Sequence, residues 1–339
     1  MEHLAKLIND GKMKCEMIHV ESEHSAMSAC VGACATGVRT FTATSSQGLA
    51  LMNEILFVAS GMRLPIVMAV ANRALSAPIN IWADHSDTMS ERDSGWIQIY
   101  VESAQEAYDS IFQMYRICED KKVLLPGMVC LDGFTLSHVH EPVEELQNVS
   151  DFLPDYNPLF KLDPKKPMTF GPIGYPSMYM ETKKQQNEAM MGSLELIKET
   201  NSLFKKKFGR GYGDGVIDTY KTKDADNILI CLGTVAGTAR EVVDELRESG
   251  GKVGLLRLRC FRPFPKEEII NACKNAKKIK VIDRAVSFGI AGPVFIEVRY
   301  ALFKQEINVQ GFIAGLGGRD ITKDHIKKAF KEEKGRWLL

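Results

Sequence analysis

The apolar run "PIVMAVA", Pro65 to Ala71, constrains this chain most. It has no polar face, so it must be covered on both sides, as strands of parallel sheets are. Segments before and after it alternate in kind. Glu2 to Asn9 reads as a helix, with Leu4, Leu7 and Ile8 on one face and Gly11 as its stop. Glu16 to Val20 reads as a short strand, and Ser25 to Thr36 as a helix rich in small residues. Thr40 to Ala43 (strand), Gln47 to Ala59 (helix), Ala104 to Cys118 (helix) and Val123 to Leu131 (buried strand) continue the series. Such alternation predicts an α/β fold with a doubly wound sheet. The chain opens on a helix, whereas such domains usually open on a strand. The alternation therefore predicts a strand and loop ahead of these 339 residues.

Between Pro142 and Pro176 the pattern stops. Seven of the 13 prolines fall there, a density that excludes regular helix or a central strand. This core of a proline-rich arm, 137–180, is either a surface crossover or a segment lying on a partner subunit. Gln185 to Lys207 then reads as a helix. A second strand–helix series follows: Asn227–Leu232, Ala239–Ser249, Val253–Leu258, Lys266–Asn275, Ile279–Ile282, Val294–Leu302 and Ile307–Ile313. The expected organisation is a first domain over 1–215 and a smaller α/β domain over 225–339.

Charge and cysteine usage narrow the function. Lys+Arg and Asp+Glu both number 43, so the basic footprint of a nucleic-acid-binding protein is missing. No apolar run approaches the ~20 residues of a membrane span, and the first nine residues lack a signal-peptide core. A cytoplasmic protein is expected. The eight cysteines form no C-x-x-C pair, so neither a cluster motif nor a metal site is expected on this chain.

In open α/β sheets, ligands sit beyond the carboxyl ends of strands. Three such ends are polar here. "VESEHS" carries Glu21, Glu23 and His24, and "TATSSQG" carries Ser46 and Gln47. "NRALSAPINIWADHSDTMSERDSGW" carries Arg73, Asp84, His85, Asp87, Arg92 and Asp93. Helix capping accounts for the first two equally well. The third, so charged and anchored on a buried strand, is where binding residues concentrate.

The same stretches resemble a known family. "VESEHSAMSAC", the block from "RTFTATSSQG" to "SERDSGW", "LPGMVCLDGFTLSHVHEPV", "GPIGYPSMYMETK", "KKKFGRGYGDG" and "LRCFRPFP" are similar to the alpha subunits of pyruvate:ferredoxin oxidoreductases. The resemblance implies a pyrimidine-type thiamine-diphosphate-binding domain, then a transketolase C-terminal-like domain. It implies CoA-dependent oxidative decarboxylation of pyruvate, with electrons passing through iron–sulfur clusters on partner subunits to ferredoxin. A beta subunit would hold the diphosphate and Mg2+, and gamma and delta subunits complete the complex. By the same resemblance, Glu23 corresponds to the glutamate that bonds the cofactor's pyrimidine ring. A carboxyl group shared with a ring nitrogen favours the tautomer that can take a proton from the thiazolium carbon. Arg73 corresponds to the arginine holding the substrate carboxylate, a task that suits its planar fork. Ser46 and Gln47 would line the cofactor pocket. Asp84, His85 and Asp87 would order the loop around Arg73. The family's usual opening strand and its "YPITPS"-like loop are not seen. Two rivals stand beside pyruvate oxidation: a branched-chain 2-oxoacid enzyme, which these motifs do not separate, and a truncated, non-catalytic assembly subunit.

Overall fold

The structure of the chain, a computed structural model, describes residues 2–13 and 17–339. The elements in order are α1 (Glu2–Asn9), α2 (Glu23–Ala35), β1 (Phe41–Thr44), α3 (Gln47–Leu51), α4 (Asn53–Gly61), β2 (Val67–Asn72) and α5 (Ser86–Ser90). Then come β3 (Ile97–Tyr100), α6 (Ala104–Cys118), β4 (Gly127–Asp132), α7 (Pro176–Phe208), β5 (Ile217–Tyr220), β6 (Asn227–Cys231) and α8 (Val235–Glu248). The series closes with β7 (Val253–Leu258), β8 (Cys260–Arg262), α9 (Lys266–Cys273), β9 (Lys278–Asp283), α10 (Pro293–Ala301), β10 (Asn308–Ile313) and α11 (Lys323–Lys331).

Among the described residues, two five-stranded sheets result, ordered β1-β2-β4-β3-β8 and β10-β9-β6-β7-β5. All pairings are parallel except β8 on β3 and β5 on β7. The expected α/β fold is therefore present. Why "PIVMAVA" has no polar face is now visible. Met68 and Val70 of β2 join Met128 and Cys130 of β4 in the core on one side. Val67 and Val129 join Ile97 and Ile99 of β3 on the other. Each fully buried side chain of this size contributes about 1.5–3 kcal/mol.

Several sequence readings are corrected. Met17–Val20 form no strand; Glu16, with which the expected strand began, lies outside the described residues. Gln47–Ala59 is two helices, α3 and α4, separated by a turn at Met52. The helix expected from Gln185 starts at Pro176. Proline is tolerated at a first helical position, where no intrahelical N–H bond is lost. Pro176 thus opens the helix. Gly209 closes it at φ 75°, a left-handed conformation in which glycine carries no steric cost. Strands β3, β5 and β8 and helices α5 and α11 were not foreseen. Of these, β8 matters most for the whole molecule, because it follows β7 of the second sheet yet pairs with the first.

Candidate active site

The site is built where β1 and β2 end. These neighbouring parallel strands pair Thr44 with Val70. Beyond β1 the chain turns at Ser45 and Ser46 into α3, and beyond β2 it leaves the sheet at Arg73. Helix α2 begins close to the same turn.

Ser22 caps α2, accepting from Ser25 N at 3.4 Å. The capping role considered for Glu21 and Glu23 is thus already filled. The two glutamates differ in surroundings. Ser25 Oγ donates to the Glu21 carboxylate, which this bond holds below its ordinary pKa. The Glu23 carboxylate instead lies over α3. A Cβ added at Gly48 would come within 2.9 Å of Glu23 Oε1 and 2.6 Å of Thr44 Oγ1. Gly48 leaves the space that the carboxylate needs. Among the described residues, no group hydrogen-bonds to the Glu23 carboxylate, and its residue is exposed.

Arg73 is half-buried. Its alkyl stem passes over Gly133, where a Cβ would stand 2.7 Å from Arg73 Cγ. Arg73 Nε donates to Ser45 Oγ at 2.5 Å, and Ser45 Oγ donates to Ala71 O at 2.7 Å. Among the described residues, Arg73 makes no ion pair and neither Nη is engaged. The surface salt bridge that would explain it without a ligand is therefore not what the structure contains.

Ser46 lies deeper than a pocket-lining residue would. It is 4% exposed, and its hydroxyl donates to Ala74 O at 2.6 Å. Gln47 is exposed at the start of α3. Of the acidic-loop residues expected to order the surroundings of Arg73, Asp87 bonds to it directly, whereas Asp84 and His85 bond elsewhere. Asp87 is completely buried and accepts from Arg73 N and Ser46 N, both at 3.0 Å. It also accepts from Asn72 Nδ2 and Thr88 N, both at 2.8 Å. Burial pushes its carboxyl up to about 6 against these four donors. Asp84 accepts from Ser86 N at 2.7 Å and from Gly317 N at 3.1 Å, tying the loop to the second domain.

A second polar cluster lies at the end of β4. His85 Nε2 is 2.6 Å from Asp132 Oδ1, and Arg284 Nη1 is 3.1 Å from Asp132 Oδ2. Thr234 N donates to Asp132 Oδ2 at 2.9 Å, and the Thr234 hydroxyl bonds to it too. Burial pushes the Asp132 carboxyl up, but Arg284 and His85 outweigh burial and hold it well below the carboxylate range. Sequence reasoning assigned no role to Ser45, Gly48 or Asp132. The polar ends of β1 and β4 were the available signal. Between the Arg73–Arg92 loop and the second domain lies a cleft of 560 Å³, lined by Ala74, Leu75, Met89, Ala285, Phe288 and Leu316 among others. No group of three or more His, Cys, Asp or Glu among the described residues is placed to hold a metal ion.

A carboxylate without a partner and a guanidinium with open Nη groups thus flank one strand-end turn of a parallel sheet. The fold is a doubly wound α/β protein with a second α/β unit packed beside it. Residues 1–202 match the family described as pyruvate flavodoxin/ferredoxin oxidoreductase, thiamine diP-bdg, and residues 225–326 match pyruvate:ferredoxin oxidoreductase core domain II. The chain is 55% identical over 331 residues to a protein of Methanocaldococcus jannaschii named pyruvate synthase subunit PorA, covering 96% of this chain and 85% of that one. A Pyrococcus furiosus protein of the same name is 49% identical over 335 residues, covering 97% and 84%. A Pyrococcus horikoshii protein named ketoisovalerate oxidoreductase subunit VorA is 42% identical over 339 residues, covering 98% and 85%. A solved structure of 2-oxoglutarate:ferredoxin oxidoreductase from Magnetococcus marinus superposes with a TM-score of 0.65 at 18% identity, over 97% of this chain and 60% of that one. The chain belongs to the pyruvate:ferredoxin oxidoreductase family and carries its thiamine-diphosphate-binding domain followed by its core domain II. Among the described residues, no helix is long and apolar enough to cross a membrane.

Proposed function

We propose that this chain is the alpha subunit of a thiamine-diphosphate-dependent pyruvate:ferredoxin oxidoreductase. Such a complex converts pyruvate and coenzyme A to acetyl-CoA and CO2, reversibly, and passes two electrons to ferredoxin. The observation carrying this reading is the convergence of Glu23 and Arg73 on the turn between β1 and α3, in a chain 55% identical to a named pyruvate synthase subunit.

The residues present fit the pyrimidine half of the cofactor. Glu23 presents an unengaged carboxylate above the cradle that Gly48 leaves open, and a Cβ would fill that cradle. When bound, thiamine diphosphate supplies the carbon nucleophile needed to cleave a 2-oxoacid beside its carbonyl. Glu23 holds a proton between its carboxylate oxygen and a ring nitrogen of the pyrimidine, which is general acid–base work. Arg73 binds the substrate carboxylate through Nη1 and Nη2, a bidentate contact that also orients it. Gln47, exposed at the start of α3, stands at the mouth of the cofactor pocket, while buried Ser46 supports the turn behind it. We assign the diphosphate and Mg2+ to a beta subunit, the iron–sulfur clusters to partner chains, and gamma and delta subunits to the rest of a cytoplasmic complex.

Pyruvate is favoured over a branched-chain 2-oxoacid because the ketoisovalerate relative is 42% identical, against 55% and 49% for the pyruvate synthase relatives. The test uses the native complex, purified without oxygen, and follows CoA-dependent reduction of a viologen dye. Pyruvate should exceed 2-oxoisovalerate at least about tenfold in kcat/KM. The reverse order would make the chain a branched-chain subunit. Turnover of neither substrate would leave an assembly role.

A further inference from the structure

Resting on the reading of Arg73 as the carboxylate-binding residue, we infer that Ser45 and Asp87 are positioning residues that hold Arg73 at two points and thereby set the affinity for the 2-oxoacid. Asp87 fixes the main chain of Arg73, and Ser45 fixes its head group.

The head group comes first. A guanidinium can grip a carboxylate through Nε and one Nη, or end-on through both Nη atoms. The Nε of Arg73 is already spent on Ser45 Oγ. A serine hydroxyl has one proton, and that of Ser45 goes to Ala71 O at 2.7 Å. The oxygen therefore turns a lone pair towards Arg73. Only the end-on fork remains for a ligand. Gly133 under the alkyl stem adds to the constraint, since no side chain there lifts the arginine off β4.

The main chain is held as firmly. One oxygen of Asp87 accepts both Arg73 N and Ser46 N at 3.0 Å, so it joins the chain beyond β2 to the chain beyond β1. Its other oxygen accepts Asn72 Nδ2 and Thr88 N. Ser45 is the residue next to Ser46. The anchor of the main chain and the anchor of the head group therefore share one rigid turn. A shift in either moves the fork relative to Glu23, which faces the same turn across Gly48.

The experiment compares the assembled complex carrying Ser45→Ala, Asp87→Asn, Arg73→Ala or Ser45→Ala together with Arg73→Ala. It measures KM for pyruvate, kcat and the size of the complex. Ser45→Ala should raise KM about three- to tenfold with kcat within about twofold, and Asp87→Asn should raise KM about tenfold or more. A merely structural loss would lower the active fraction, hence apparent kcat, and leave KM alone. Because serine acts through arginine, Ser45→Ala should add nothing to the KM of Arg73→Ala. The inference is overturned if Arg73→Ala raises KM while both other variants leave it within about twofold, or if the serine and arginine effects multiply. An unchanged KM in Arg73→Ala would instead remove the reading of Arg73 itself. Should the Asp87 variant fail to assemble, the half-buried Ser45 decides alone.

Discussion

At the residue scale, the site depends on small residues as much as on charged ones. Glu23 is useful only if its carboxylate can lie over α3, and Gly48 permits that. Gly48→Ala separates the two demands on this position. Alanine is favoured over glycine in a helix by about 1 kcal/mol, but the added Cβ must push Thr44 aside, so stability should change little or fall by up to about 2 kcal/mol. The new methyl would sit 2.9 Å from Glu23 Oε1 and 2.6 Å from Thr44 Oγ1, so turnover of the complex should fall at least about tenfold. Glu23→Gln should cost about 10²- to 10⁴-fold in kcat, the range of acid–base catalysis, with assembly intact. Viologen reduction and a melting curve check both variants. Normal turnover in the Gln variant would remove Glu23 from the mechanism. Glu23 and Arg73 stood out in the sequence as candidates because each lies in a motif that resembles the family's. Ser45 and Gly48 did not. A serine just before a helix reads as a cap and a glycine in its first turn as a small residue, and only their neighbours in space show what they touch.

At the element scale, the proline-rich arm and α7 behave as two different regions. From Gly171 to Gln185 every residue is exposed, including Ile173, Tyr175 and Met180. Further along, Ile197 and Phe204 are fully buried. The helix is about 50 Å long at 1.5 Å per residue, and only its later turns have a core to lean on. Helix stability comes mainly from packing of that kind. In the isolated chain, amide hydrogens of 177–186 should therefore exchange at least about tenfold faster than those of 193–204. Hydrogen-exchange mass spectrometry reads this directly, and uniform protection along α7 would contradict it. The sequence pattern located the packed part from Gln185 onward, where apolar spacing is regular. It missed the first three turns because the prolines before them read as a stop and the turns themselves bury nothing.

At the scale of the whole molecule, buried ionic clusters fasten the two α/β units. Glu106 of α6 accepts from Arg257 Nη1 and Arg259 Nε, both at 2.7 Å. Burial raises its pKa, but the two arginines outweigh this and leave it lowered. Asp132, Arg284, Thr234 and His85 form the second clasp, and β8 adds a strand from one unit to the sheet of the other. Breaking one partner of a buried pair leaves the other charge uncompensated. Asp132→Asn should therefore cost about 3–5 kcal/mol at neutral pH. The folded carboxyl titrates below its unfolded value of about 3.9. Its stabilisation is complete above that value and is lost as pH falls towards the lower folded pKa. The stability gap between parent and variant should thus be constant from about pH 5 upward and shrink below about pH 4. Chemical denaturation at several pH values measures it. A gap independent of pH would show that the charge of Asp132 contributes nothing.

The sequence by itself determined the α/β class and most of the strands and helices, and it singled out Glu23 and Arg73 as candidates. These follow from local periodicity and from motifs, information carried by neighbouring residues. Tertiary structure alone decided that β8 crosses to the first sheet. It also decided that Asp132, at the end of β4, receives donors from three distant segments, and that Ser45 and Asp87 close around Arg73. Each of these depends on contacts between residues far apart in the chain. Such contacts leave no period to read, because a buried polar group is satisfied by whichever partner the packed fold brings within about 3 Å.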